Sequence, residues 1–91
     1  MASNYLVTLR AAARSLLEAA GAPPDALDPL IRGVQDTHFE LTGPIARGDW
    51  ETVERHLAVI RAERPELEEL YRVLAGATAV VAGRDPAEVP A

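Results

Sequence analysis

Two glycines separated by four residues, Gly43 and Gly48, with Arg47 and Asp49 beside them, make Thr42–Trp50 the stretch whose residue types most resemble a ligand-binding loop. Glycines at this spacing occur in phosphate-binding loops, where a lysine and then a serine or threonine follow to meet the phosphates and magnesium. Here Asp49 and Trp50 follow, and a carboxylate would face the phosphate with like charge. No strand-like segment precedes the loop either, so nucleotide binding by this stretch is not expected. The residues fit a turn and a cap instead: Thr42 caps a short helical turn opened by Pro44, Gly48 permits a left-handed exit, and Asp49 caps the next helix. That assignment leaves Arg47 over, to pair with Asp49 or Glu51 or to face a ligand. The tripeptide Arg47-Gly48-Asp49, also found in integrin ligands, is coincidental in a cysteine-free chain of this kind.

The other chemical candidates are weaker. His38 and His56 have no His, Cys or carboxylate at i±4, and Asp36 and Glu40 fall on the wrong faces of a helix, so each reads as a half-buried helix residue with one hydrogen bond rather than a metal ligand. Glu66, Glu68 and Glu69 sit where carboxylates favour the start of a helix. Ser3 and Ser15 have neither a nearby histidine nor a nucleophile-elbow pattern.

Composition narrows the functional classes further. Ninety-one residues allow one small domain, and the absence of cysteine excludes a disulfide frame and a thiolate zinc site, leaving partner subunits as the expected source of extra stability. The net charge is −5, all nine basic residues are arginines, and no segment gathers them into a basic face. Nucleic acid and anionic membrane surfaces are therefore not expected partners. No apolar run approaches the roughly 20 residues that span a bilayer, and the N-terminus lacks the pattern of a secretory leader, which suggests a cytoplasmic protein.

These residues must be positioned by helices. Leu6, Leu9, Ala13, Leu16, Leu17 and Ala20 recur with helical spacing, predicting a helix over 3–20 capped by Ser3 or Asn4 and ended by Gly21. Val7, Ala11, Ala12 and Ala19 widen its apolar surface beyond one stripe, so it should be covered on two sides. After Pro23-Pro24, a helix over 26–40 starts near Asp25 or Asp28 and carries Leu27, Leu30, Ile31, Val34 and His38 on one face. A short turn or helix at 43–47 precedes a helix over 50–63 with Trp50, Val53, Leu57 and Ile60 inside and Glu51 paired to Arg55. Pro65 opens a helix over 65–82, with Leu67, Leu70, Tyr71, Leu74, Ala77 or Thr78, and Val81 buried, Glu68 paired to Arg72, and Gly83 at its end. The expectation is an all-α, four-helix bundle-like domain over 1–83 with a disordered tail over 84–91.

Several of these segments together resemble a known family. Ala2-Ser3-Asn4-Tyr5-Leu6-Val7, Leu27-Asp28-Pro29-Leu30-Ile31-Arg32, Leu41-Thr42-Gly43-Pro44-Ile45-Ala46-Arg47-Gly48-Asp49, Thr52-Val53, His56-Leu57 and Leu70-Tyr71 are similar to the C-terminal helical domain, of unknown function, of bacterial Rossmann-like putative NADP-dependent oxidoreductases, relatives of ketopantoate reductase and 6-phosphogluconate dehydrogenase. The resemblance spans about residues 2–82. It implies homodimerisation through the 3–20 helix and a substrate cleft near Asn4, Thr42, Gly43, Pro44, Arg47 and Asp49. It also implies NADP for a full-length relative, whereas this chain lacks the glycine-rich nucleotide-binding domain and is expected to bind no cofactor and to be inactive alone. A separate Rossmann-domain chain is a possible partner, and a freestanding protein–protein interaction module is the alternative reading.

Overall fold

The structure, a computed structural model, describes all residues from Met1 to Ala91. It is all-α: five helices and two 3-10 turns, with no strand. The helices are α1 (Ala2–Ala19), α2 (Asp28–Asp36), α3 (Pro44–Arg47), α4 (Trp50–Glu63) and α5 (Glu68–Val81). None is long and apolar enough to cross a membrane. The chain divides into two compact units, Met1–Phe39 and Glu40–Ala91.

In the first unit, α1 begins one residue earlier than expected and its N-cap is Met1, so neither Ser3 nor Asn4 caps it. Alanine and leucine supply the intrinsic helix preference that carries it. It stops where glycine makes a left-handed exit cheap: Gly21 has φ +77°, and the Gly21 and Ala22 amides donate back to Glu18 and Leu17. The α2 helix is shorter than the predicted 26–40. Residues 23–28 form turns before it, and Asp28 lies inside the helix instead of capping it. At the other end, the Thr37 hydroxyl donates to the Gly33 and Val34 carbonyls, and His38 and Phe39 both take left-handed conformations, with φ 55° and 60°. Their amides close the helix onto Gln35 and Val34, the same closure made at Gly21 but without glycine. No residue of either helix is buried, and the link between them is an exposed ion pair, Arg10 to Asp28 at 3.3 Å.

The second unit holds the core. Val53, Leu57 and Ile60 recur on one face of α4, as the spacing predicts, and are buried with Ala75 and Ala79 of α5, which packs against it. Of the stripe expected on the last helix, Leu67, Leu70, Tyr71, Leu74 and Thr78 are half-buried as predicted, Ala77 and Val81 are exposed, Val81 by 76%, and the fully buried positions are Ala75 and Ala79. Alanine is small enough to let two helices approach and is also at ease in water, so periodicity does not distinguish its faces. Pro65 opens a 3-10 turn, Pro65–Leu67, before α5 proper. Gly83, with φ +75°, ends α5 through Arg84 and Gly83 amides bonded to Ala79 and Val80.

The segment after it corrects the prediction of disorder. Asp85 accepts the Ala87 amide at 2.9 Å and caps a second 3-10 turn, Pro86–Glu88, that packs on α5. Pro86 and the capping Asp85 here build a turn.

Candidate functional site

The Thr42–Trp50 stretch is assembled within the second unit, and each step follows from a local rule. Gly43 has φ 103° and ψ −178°, a conformation open essentially to glycine alone, and it turns the chain into Pro44 at the first position of α3. Thr42 makes no capping bond there; Gly43 occupies the N-cap position. The single turn of α3 is closed by the Asp49 amide on the Pro44 carbonyl at 2.8 Å and the Gly48 amide on Ile45 at 3.1 Å, with Gly48 left-handed at φ 69°. The amides of Arg47, Gly48 and Asp49 are thereby consumed inside the turn. An anion cradle needs such amides free and pointing outward, so the geometry excludes a phosphate loop as firmly as the charge of Asp49 does.

Asp49 caps α4 as expected. Its Oδ1 accepts the Thr52 amide at 3.2 Å and its Oδ2 accepts the Thr52 hydroxyl at 2.7 Å. The Thr52 hydroxyl hydrogen bond, the Thr52 amide, and the positive charges of Arg47 and Arg55 hold its carboxyl below the ordinary carboxylate range, against a smaller opposing effect of burial. Arg47 approaches Asp49 Oδ2 only to 3.7 Å and stays 62% exposed, so its assignment is a loose ion pair on the open side of the turn. Arg55 donates to the Thr52 hydroxyl at 2.9 Å instead of pairing with Glu51. The result is a chain of polar groups, Arg55 to Thr52 to Asp49 to Arg47, running across the start of α4. Thr52 was absent from the candidates, although its place three residues after an N-capping aspartate is a legible capping signature.

Arg84 was missed altogether. Its Nε donates to the Ala46 carbonyl at 3.3 Å, its guanidinium carbon lies 6.0 Å from the centre of the Trp50 ring, and its Nη1 is 3.5 Å from Glu88 Oε2. No local sequence signal announces a contact across 38 residues.

The remaining candidates are dispersed. Asn4 lies on α1 in the first unit, exposed, with its carbonyl accepting the Thr8 hydroxyl at 3.1 Å. His38 closes α2. His56 is in hydrogen-bond contact with Tyr71, Nδ1 to Oη 3.1 Å, with the rings edge to face at 6.1 Å. Burial pushes the Tyr71 phenol upward. Glu68 accepts from Arg61 of α4 and lies 4.0 Å from Arg72, tying the end of one helix to the start of the next. The Arg61 hydrogen bond, followed by the Arg61 and Arg72 charges, keeps Glu68 below its ordinary range although burial opposes it. No group of three or more His, Cys, Asp or Glu side chains converges in a way that could hold a metal ion.

A second feature belongs to the first unit alone. Leu6, Val7, Leu9, Arg10 and Ala13 of α1 face Leu27, Ile31, Val34, Gln35 and Phe39 across an open, almost wholly apolar groove of about 450 Å³. Phe39 and Val7 are among the most exposed large side chains of the protein.

Fold and motif together define a small all-α domain with a capped turn before its core helix. The chain belongs to the family described as a domain of unknown function, DUF2520, which matches residues 1–78. No curated protein and no solved structure matches it.

Proposed function

We propose that the chain pairs with a second copy of itself through α1 and contributes the Gly43–Asp49 turn to a substrate cleft, as the resemblance to the C-terminal domain of Rossmann-associated NADP-dependent oxidoreductases implies, without catalysing a reaction alone. The observation that carries this reading is the uncovered apolar surface of the first unit. Leu6 and Val7 are 62% and 70% exposed, and of the ten side chains lining the groove only Arg10 and Gln35 are polar. A soluble chain rarely leaves such a patch to water, and a second copy presents α1, whose length is about 27 Å, to cover it. The exposed position of Arg47 supports a role for that side chain at a ligand rather than in folding.

Sedimentation velocity at micromolar concentration tests the pairing. Wild-type protein sediments as a dimer, and Val7→Glu, which places a charge in the groove without disturbing any buried residue, sediments as a monomer. A monomeric wild type refutes self-association; a different protein co-purifying in constant ratio establishes the interaction-module reading instead. Calorimetric titration with NADPH gives no binding heat, and measurable affinity would overturn the statement that this chain does not hold the cofactor.

A further inference from the structure

The last charged segment of the chain folds back onto the turn at Gly48. Arg84 lies with its guanidinium against Gly48 so closely that a Cβ there would meet Cζ and Nη2 at 2.9 Å and Nη1 at 3.0 Å. Gly48 is required by its left-handed backbone, and a Cβ there would push aside the end of the Arg84 side chain. The same guanidinium donates to the Ala46 carbonyl in α3 and lies over the Trp50 indole, 6.0 Å from the ring centre. The turn that follows is held by Asp85, reaches Glu88 back toward Arg84, and lies on α5 with Pro86 beside Gly76.

We infer that Arg84–Glu88 is a lid on the Gly43–Asp49 turn, latched by the Arg84 guanidinium, and that the Ala46 carbonyl is open to a ligand only when the latch lifts. The geometry of the latch fits a device that moves. Its parts are one long charge-assisted hydrogen bond, one cation–π contact at the outer edge of the effective range, and one half-exposed ion pair, none of which is individually strong. The lid rests on the cleft reading only for its purpose; the latch is measured without any ligand.

Trp50 is the sole tryptophan and reports directly on the contact. Acrylamide quenching of its emission is compared in the wild-type chain, Arg84→Ala, Arg84→Lys and Gly48→Ala, with far-UV circular dichroism confirming intact helices. Removing the guanidinium from over the ring raises the quenching constant in Arg84→Ala. Gly48→Ala, which keeps Arg84 but fills its seat, gives a similar rise, and Arg84→Lys, which keeps the charge without the planar fork, falls between. Equal quenching in wild type, Arg84→Ala and Arg84→Lys, with helicity preserved, overturns the latch even where Gly48→Ala fails to fold.

Discussion

Truncating Leu57 to alanine removes one of the two largest side chains of a five-residue core. Leu57 is 1% exposed, its neighbours on the same face are Val53 and Ile60, and the buried positions on α5 are Ala75 and Ala79. Alanine has no rotamer to swing into a void, and the two β-branched residues are stiff at χ1, so the site collapses poorly and most of the cavity persists. The cost therefore falls in the upper part of the range for such truncations, about 3–4 kcal/mol. The second unit, Glu40–Ala91, has 52 residues. At about 0.05–0.15 kcal/mol per residue its whole stability is about 3–8 kcal/mol, so the variant loses half or more of it. Urea titration at fixed protein concentration, followed by Trp50 emission, reads this unit because Trp50 opens α4. With a slope of about 1 kcal/mol per molar urea, the midpoint falls by about 3 M or folding is lost outright. Val59→Ala, at a position 54% exposed on the same helix, is the control and shifts stability by no more than about 0.5 kcal/mol. A loss below about 1 kcal/mol for Leu57→Ala at unchanged slope would refute the assignment of the core to this face of α4.

Two predictions concern pH. Asp49 and Glu68 titrate below their ordinary values in the folded chain, so each contributes stability that is present above the ordinary carboxylate pKa of about 4 and is lost as pH falls through the lower folded value. Stability measured by Trp50 therefore declines on acidification below about pH 4, and Thr52→Val, which removes the largest cause of the Asp49 shift, makes that decline shallower; an unchanged acid limb refutes the cap network. Tyr71 has a raised pKa, so its contribution is intact below about pH 10 and is lost as pH rises through the folded value. Absorbance titration near 295 nm of wild type and Tyr71→Phe assigns its phenolate step, expected above that of a free tyrosine, and a step at the free value contradicts its burial.

What the sequence revealed of the fold follows from how local each cause is. Gly21, Gly48 and Gly83 end their helices because left-handed backbone is cheap only without a Cβ, and Asp49 and Pro65 start theirs because a carboxylate can accept free amides and a proline has no amide to lose. Such rules act within a few residues and are legible in the string. The end of α2 was not, because His38 and Phe39 take left-handed conformations that their side chains disfavour, while the Thr37 hydroxyl competes for the carbonyls of the final turn. On α5 the inward stripe was legible, but its two fully buried positions were not, because they are alanines. Of the candidate site, Arg47 and Asp49 were legible as a pair, but Arg84 was not, since its partner carbonyl is Ala46 and the proline-flanked segment around it carries no periodicity.

The two units stabilise themselves by different means, and this asymmetry bears on what the chain is for. Residues 40–91 have a buried aliphatic core, an ion pair that joins α4 to α5, and a tail packed on α5. Residues 1–39 have no buried side chain, and the exposed Arg10–Asp28 pair contributes at most about 1 kcal/mol. A helix of 18 residues is only marginally stable in water on propensity alone, and α2, with nine residues and Gly33 inside it, is below that margin. Nothing inside the unit offsets the cost of ordering them. Their apolar stripes, Leu6, Val7 and Leu9 on one side and Leu27, Ile31 and Val34 on the other, stabilise the pair only when water is removed from the groove they line. These residues are apolar and uncovered within their own unit, and it is on them that the proposed self-association rests.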